Sequence, residues 1–192
     1  MEYPLTLKFK IVAVAPQITV TDANGTSVCY VKQKLFKLKE RVEVFTDSSK
    51  SQRLAEIRAD KIIDWSATYT ISDPAGNAFG AVKRSGIKSL WRAHYVILKE
   101  GQKVFEIREG NPLTKFFDSL FEGIPVIGML SGYLFHPTYE IKDTAGELCY
   151  HLKKQPAFLE GVFKIEETKD TPDAILVLMS ILLMSLLERQ RG

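Results

Sequence analysis

The chain reads as mainly β: a closed antiparallel barrel of about twelve strands around a central hydrophobic C-terminal helix. Three observations predict it. A turn of the form Asp-x-x-Gly recurs between short alternating strands, the alternation leaves one face of the sheet apolar and the other wet, and the last long stretch is a helix apolar on every side. A large sheet with one apolar face tends to close, which also removes its sticky edges. The closed sheet then needs a filler, and the terminal helix supplies it. At 192 residues the chain is long enough for one large domain, read here as spanning 1–192.

The helix is marked at both ends. Thr171-Pro172-Asp173 offers a capping Thr, a Pro at the first helical position and an acid at the positive end, while Glu188-Arg189-Gln190-Arg191 places arginines at the negative end. Pro172 to about Gln190 is therefore expected to be helical. Between Ala174 and Leu187 only Ser180 and Ser185 are not apolar, so the helix has no watery side. Burial in a protein core competes with burial in a membrane as a tail anchor. A bilayer span needs roughly 20 apolar residues, and this run is shorter and has no Trp or Tyr belt, which favours the core.

The hairpins come next. Ile18–Thr21 leads through Asp22-Ala-Asn-Gly25 into Val28–Lys34, Tyr69–Ser72 through Asp73-Pro-Ala-Gly76 into Phe79–Arg84, and Tyr139–Lys142 through Asp143-Thr-Ala-Gly146 into Leu148–Lys153. Asp first and Gly fourth are the residues of a type I turn closing a hairpin. Weaker hairpins join Val42–Phe45 to Leu54–Arg58 and Tyr95–Leu98 to Val104–Arg108, with a strand near Leu5–Val14 at the start and Gly161–Glu166 before the helix. Two hairpins share Cys-Tyr followed by lysines, Cys29-Tyr30 with Lys32 and Lys34, and Cys149-Tyr150 with Lys153 and Lys154. That pair is either a trace of duplication or coincidence.

One segment departs from the pattern. After Asn111-Pro112, the residues Leu113, Phe116, Phe117, Leu120 and Phe121 fall at helical spacing, and the apolar Ile124–Phe135 follows. A lid over one end of the barrel is the expectation, with a membrane-interface flap as the alternative. Composition is that of a folded soluble protein, 45% hydrophobic and 26% charged, with a net charge of +3 that does not demand nucleic acid. Cys29 and Cys149 are too few for a disulfide framework and are expected as small, half-buried strand residues. Met1–Pro16 is too polar for a signal peptide, so a reducing, cytoplasmic setting is expected.

Tyr30-Val-Lys-Gln-Lys-Leu-Phe-Lys-Leu38, Ile87-Lys-Ser-Leu-Trp-Arg-Ala-His-Tyr95 and the terminal Asp173–Glu188 stretch carry a resemblance. Over residues 25–190 the chain resembles the LURP-one-related proteins, relatives of the Tubby C-terminal domain and the phospholipid scramblases. The resemblance implies a twelve-stranded barrel around a central C-terminal helix. It also implies phosphoinositide binding, as in Tubby domains, or lipid movement, as in scramblases. The chain shows no scramblase-like Pro-rich arm, Cys-rich acylation patch or acidic calcium loop, which counts against scrambling.

No catalytic motif stands out: there is no Gly-x-Ser-x-Gly elbow, phosphate loop, His-Glu-x-x-His pair or dinucleotide fingerprint, and His94, His136 and His151 are far apart in sequence. No cofactor or metal is expected, and the chain is read as no enzyme. Basic clusters are the better signal. Lys32, Lys34, Lys37, Lys39 and Arg41 lie close together, and Lys83, Arg84, Lys88 and Arg92 surround Trp91 without an acid among them. Either cluster could hold the phosphate oxygens of a lipid headgroup, and the second, with Trp91 at the interface, is the candidate anionic-lipid site. Alternate lysines on a strand are also its ordinary solvent face. The expectation is a binding or adaptor module docking on anionic phospholipid, peripheral at a membrane. A protein-interaction scaffold and an unrecognised enzyme are the alternatives, and nucleic acid ranks last.

Overall fold

A computed structural model describes residues 1–10, 17–32, 41–61, 67–85, 94–110, 138–155 and 160–189. The strands are β1 (Leu5–Lys10), β2 (Gln17–Thr21), β3 (Ser27–Lys32), β4 (Arg41–Phe45), β5 (Arg53–Lys61) and β6 (Thr68–Ser72). They continue with β7 (Ala78–Arg84), β8 (His94–Lys99), β9 (Gln102–Glu109), β10 (Thr138–Asp143), β11 (Leu148–Gln155) and β12 (Glu160–Glu167), and the helix α1 (Ala174–Arg189) follows. Each strand pairs antiparallel with its sequence neighbour, and β12 pairs with β1, so the sheet is a closed barrel. The expected fold class holds.

The repeated turns are built alike. In each, the Asp carbonyl accepts the Gly amide, and the Asp amide donates back across the turn to Thr26, Asn77 or Glu147. The Asp carboxylate accepts backbone amides inside the turn: Asn24 and Thr26 for Asp22, Asn77 for Asp73, Ala145 and Glu147 for Asp143. Gly25, Gly76 and Gly146 have φ of 79°, 93° and 84°, the left-handed conformation that follows a type I turn in a bulged hairpin. The ladder slips by a residue just beyond, so Cys29, Gly80 and Tyr150 take equivalent places opposite Val20, Ile71 and Ile141. Cys149 is thus out of phase with Cys29, and the shared Cys-Tyr pair is not a register-preserving repeat. Both thiols are free and fully buried, deeper than the half-buried placement expected.

Every residue of α1 from Leu176 to Leu187 is buried, whichever way it points. A helix lying on the outside of a barrel keeps a solvent face, and α1 has none, so it fills the interior among the inward residues of the strands. Ser180 is accommodated by donating its hydroxyl to the Leu176 carbonyl at 2.7 Å. Where the helix begins, the barrel makes room: a Cβ added to Gly80 would collide with a Leu176 methyl. The start differs from the sequence expectation. Thr171 turns its hydroxyl to Tyr150, at 2.5 Å, and Asp173 takes the capping position, its carbonyl accepting the Val177 amide and its carboxylate holding Lys99 at 2.5 Å. A tyrosine buried in the barrel needs a hydroxyl partner, and Thr171 supplies it. No helix among the described residues is long and apolar enough to cross a membrane. Residues 111–137, which include the expected lid, lie outside those described.

Candidate functional site

The meander gives the barrel two unlike ends. One carries the turns after β2, β4, β6, β8 and β10 and receives the start of α1. Toward the other run the C-terminal ends of β1, β3, β5, β7, β9 and β11, together with the C-terminus of the helix. The turn end is acidic, with Asp22, Asp47, Asp73, Asp143, Glu147 and Asp170 among its loops. Since the whole chain carries +3, the rest of the molecule is more basic than the total indicates.

Of the candidate lipid site, Lys83 and Arg84 are described, and Lys88, Trp91 and Arg92 lie outside the described residues. Strand alternation parts the two. Val82 faces the core, so Lys83 faces out and is exposed, opposite Thr68 on β6 and Val96 on β8. Arg84 faces in, half-buried, opposite the fully buried Tyr95. Sequence proximity suggested one patch, and the two-residue period of the strand splits it between two faces.

Arg84 belongs to a polar cluster that the sequence reading did not single out. Burial raises the Tyr69 and Tyr95 phenols, and the nearby guanidinium partly offsets that rise in both. The Tyr95 hydroxyl donates to the Glu188 carboxylate at the end of α1. Burial also raises Tyr139, with Glu109 and Glu188 adding to it. The signal for this cluster was available: Tyr69, Tyr95 and Tyr139 sit at apolar-phase positions near strand starts, which is where polar tips of inward aromatics cap an end of a core. The cluster anchors the last turn of the helix. Its phenols, shifted upward, stay protonated around neutral pH, suited to hydrogen bonding and not to proton transfer.

The thiols are equally inert, since burial pushes Cys29 up to about 12 and also raises Cys149. No cluster of metal-ligating side chains occurs among the described residues. Among the described residues, two shallow grooves mark the outer wall. One of about 440 Å³ runs over Thr70, Phe79, Ala81 and Leu98. The other, about 470 Å³, is crossed by Arg41, Arg53 and Arg58, which converge on Glu56 at 2.5, 3.4 and 2.7 Å.

A family model described as LURP-one-related matches residues 4–127. The chain belongs to the LURP-one-related family. No curated protein matches it. Its fold is similar to the X-ray structure of a protein from Arabidopsis thaliana, with a TM-score of 0.51 at 13% identity, covering 98% of this chain and 92% of that one. The family match ends before β10 to β12 and the helix, and the structural likeness covers those elements as well.

Proposed function

We propose that this LURP-one-related chain is a non-enzymatic binding module that docks on anionic phospholipid headgroups from the cytoplasmic side, peripheral to the membrane. The observation that carries the reading is Lys83. It stands exposed on β7, in no ion pair among the described residues, toward the end of the barrel away from the acidic turns. Next in sequence come Lys88, Trp91 and Arg92, which add positive charge and an indole suited to the headgroup layer. A cation near one end and carboxylates at the other orient the molecule toward a negative surface before contact. Exposed charges are screened over about 8 Å at physiological ionic strength, so the binding weakens with salt.

The test is sedimentation of the full chain with vesicles of phosphatidylcholine alone, with added phosphatidylserine, or with added phosphoinositide. Binding to the anionic vesicles in low salt, loss in high salt and weakening by Lys83→Glu are expected. A wild-type chain that stays in the supernatant with every vesicle in low salt abandons the lipid reading and leaves a protein-interaction scaffold in its place.

A further inference from the structure

We propose that the outer face of β3, β2, β1 and β12 is a second docking surface for an anionic bilayer, across the barrel from Lys83. The proposal rests on the lipid reading above but on different residues. In the ring of strands β1 lies opposite β7, so this face and Lys83 point away from each other. Alternation turns Lys8, Lys10 and Lys32 outward, and all three are exposed. Their neighbours across the strands are mostly neutral. Lys8 lies opposite Thr19 and Val162, and Lys32 lies opposite Gln17. Lys10 has Glu160 as its partner on β12.

What distinguishes this face is how its cations are balanced. On the wall from β4 to β5, Arg41, Arg53 and Arg58 hold Glu56, and Arg41 and Arg53 also take up Glu43. On β9, Lys103 and Arg108 hold Glu106, and on β10 Lys142 holds Glu140. Lys8 and Lys32 are in no ion pair among the described residues. At the margin of the face Lys153 and Lys164 oppose each other across β11 and β12 and share one carboxylate, Glu166, at 2.7 and 3.4 Å. Like charges facing each other across strands are unfavourable. Positive charge is therefore in surplus here, in contrast to the balanced walls of β4–β5 and β9–β10, and an external anion removes the repulsion.

The chemistry favours a bilayer over nucleic acid. Lysine is a compact charge on a flexible stem, suited to many fluid headgroups, and this face lacks the arginine forks that grip single phosphates. The rings of Phe9 and Tyr30 are buried, so neither offers a base a stacking platform.

The experiment compares the full-length wild type, Lys8→Gln with Lys32→Gln, Lys83→Glu, and Lys103→Gln as a paired-lysine control. Each is titrated with phosphatidylserine vesicles and with a single-stranded RNA oligonucleotide in low salt. A lysine near an anionic surface strengthens binding about fivefold, so the double variant is expected to bind vesicles about 25-fold more weakly at an unchanged thermal midpoint, with the control unaffected. Wild-type vesicle affinity in the double variant, with loss in Lys83→Glu, overturns this face and leaves the lipid reading standing. Absence of vesicle binding by the wild type overturns both. RNA bound more tightly than vesicles, and lost in the double variant, overturns the bilayer in favour of nucleic acid.

Discussion

Gly80 shows how much one side chain can decide. Its counterparts in the other Asp hairpins are Cys29 and Tyr150, both with side chains inside the barrel, but here the first turn of α1 occupies that space. In Gly80→Ala the new methyl collides with a Leu176 methyl and meets the Leu98 carbonyl at 3.1 Å. Overpacking of this kind costs about 1–3 kcal/mol, and Leu176→Ala added to it is expected to return part of the loss, a coupling that a double-mutant cycle in denaturant measures. At the start of the neighbouring strand β8, His94 is a titration probe. Burial lowers its pKa, with Arg108 assisting and Glu106 opposing. The unfolded chain therefore takes up the proton first as pH falls. Stability conferred by neutral His94 is complete above the unfolded value near 6.5 and is progressively lost below it. Thermal midpoints of wild type and His94→Gln are expected to converge as the pH drops from 7 to 5.

The helix and the hairpins were legible at the level of elements because their signals are local. Asp first and Gly fourth fix a turn through hydrogen bonds among neighbouring residues, and all-round apolarity states burial without naming the partner. What escaped the sequence depended on counting residues through a bulge. Cys29 stands seven residues after its turn Asp and Cys149 only six, so with the same slip in each hairpin Tyr150 takes the place of Cys29, and that inward tyrosine holds Thr171, which was read as the cap. The proposed site was half legible for the same kind of reason: basic clustering is visible along the chain, whereas the sorting of Lys83 outward and Arg84 inward depends on strand phase. The central place of α1 has a direct consequence. Leu182 is fully buried, and Leu182→Asp sets a carboxylate in the barrel interior, where it must protonate or pull the helix out. No cooperative thermal transition is expected for this variant by circular dichroism. Deletion of residues 172–192 is expected to give aggregated chain and not a soluble empty barrel. A native-like transition in either variant is incompatible with a helix-filled core.

At the scale of the whole molecule, the acid end governs how the barrel responds to pH. Hydrogen bonds from Ser49 hold the Asp47 carboxyl below its ordinary value, those from Asn77 do the same for Asp73, and Lys169 does so for Asp143. Burial alone would raise Glu106, but Lys103 and Arg108 outweigh it and the group is lowered. A folded-state pKa below the unfolded one means that each carboxylate contributes stability above about pH 4, the ordinary range for Asp and Glu, and that this contribution disappears as pH falls through the folded value. Beyond the loss due to His94, the protein is thus expected to hold its thermal midpoint down to the ordinary carboxylate range and to lose it steeply below. Asp143→Asn, which keeps the shape of the turn but not the attraction for Lys169, is expected to lower the midpoint at pH 7 and to close the gap to wild type near pH 2. These groups are exposed or only partly buried, so added salt screens the difference between the two proteins, and a gap insensitive to both salt and acid would assign the effect to turn geometry instead of charge.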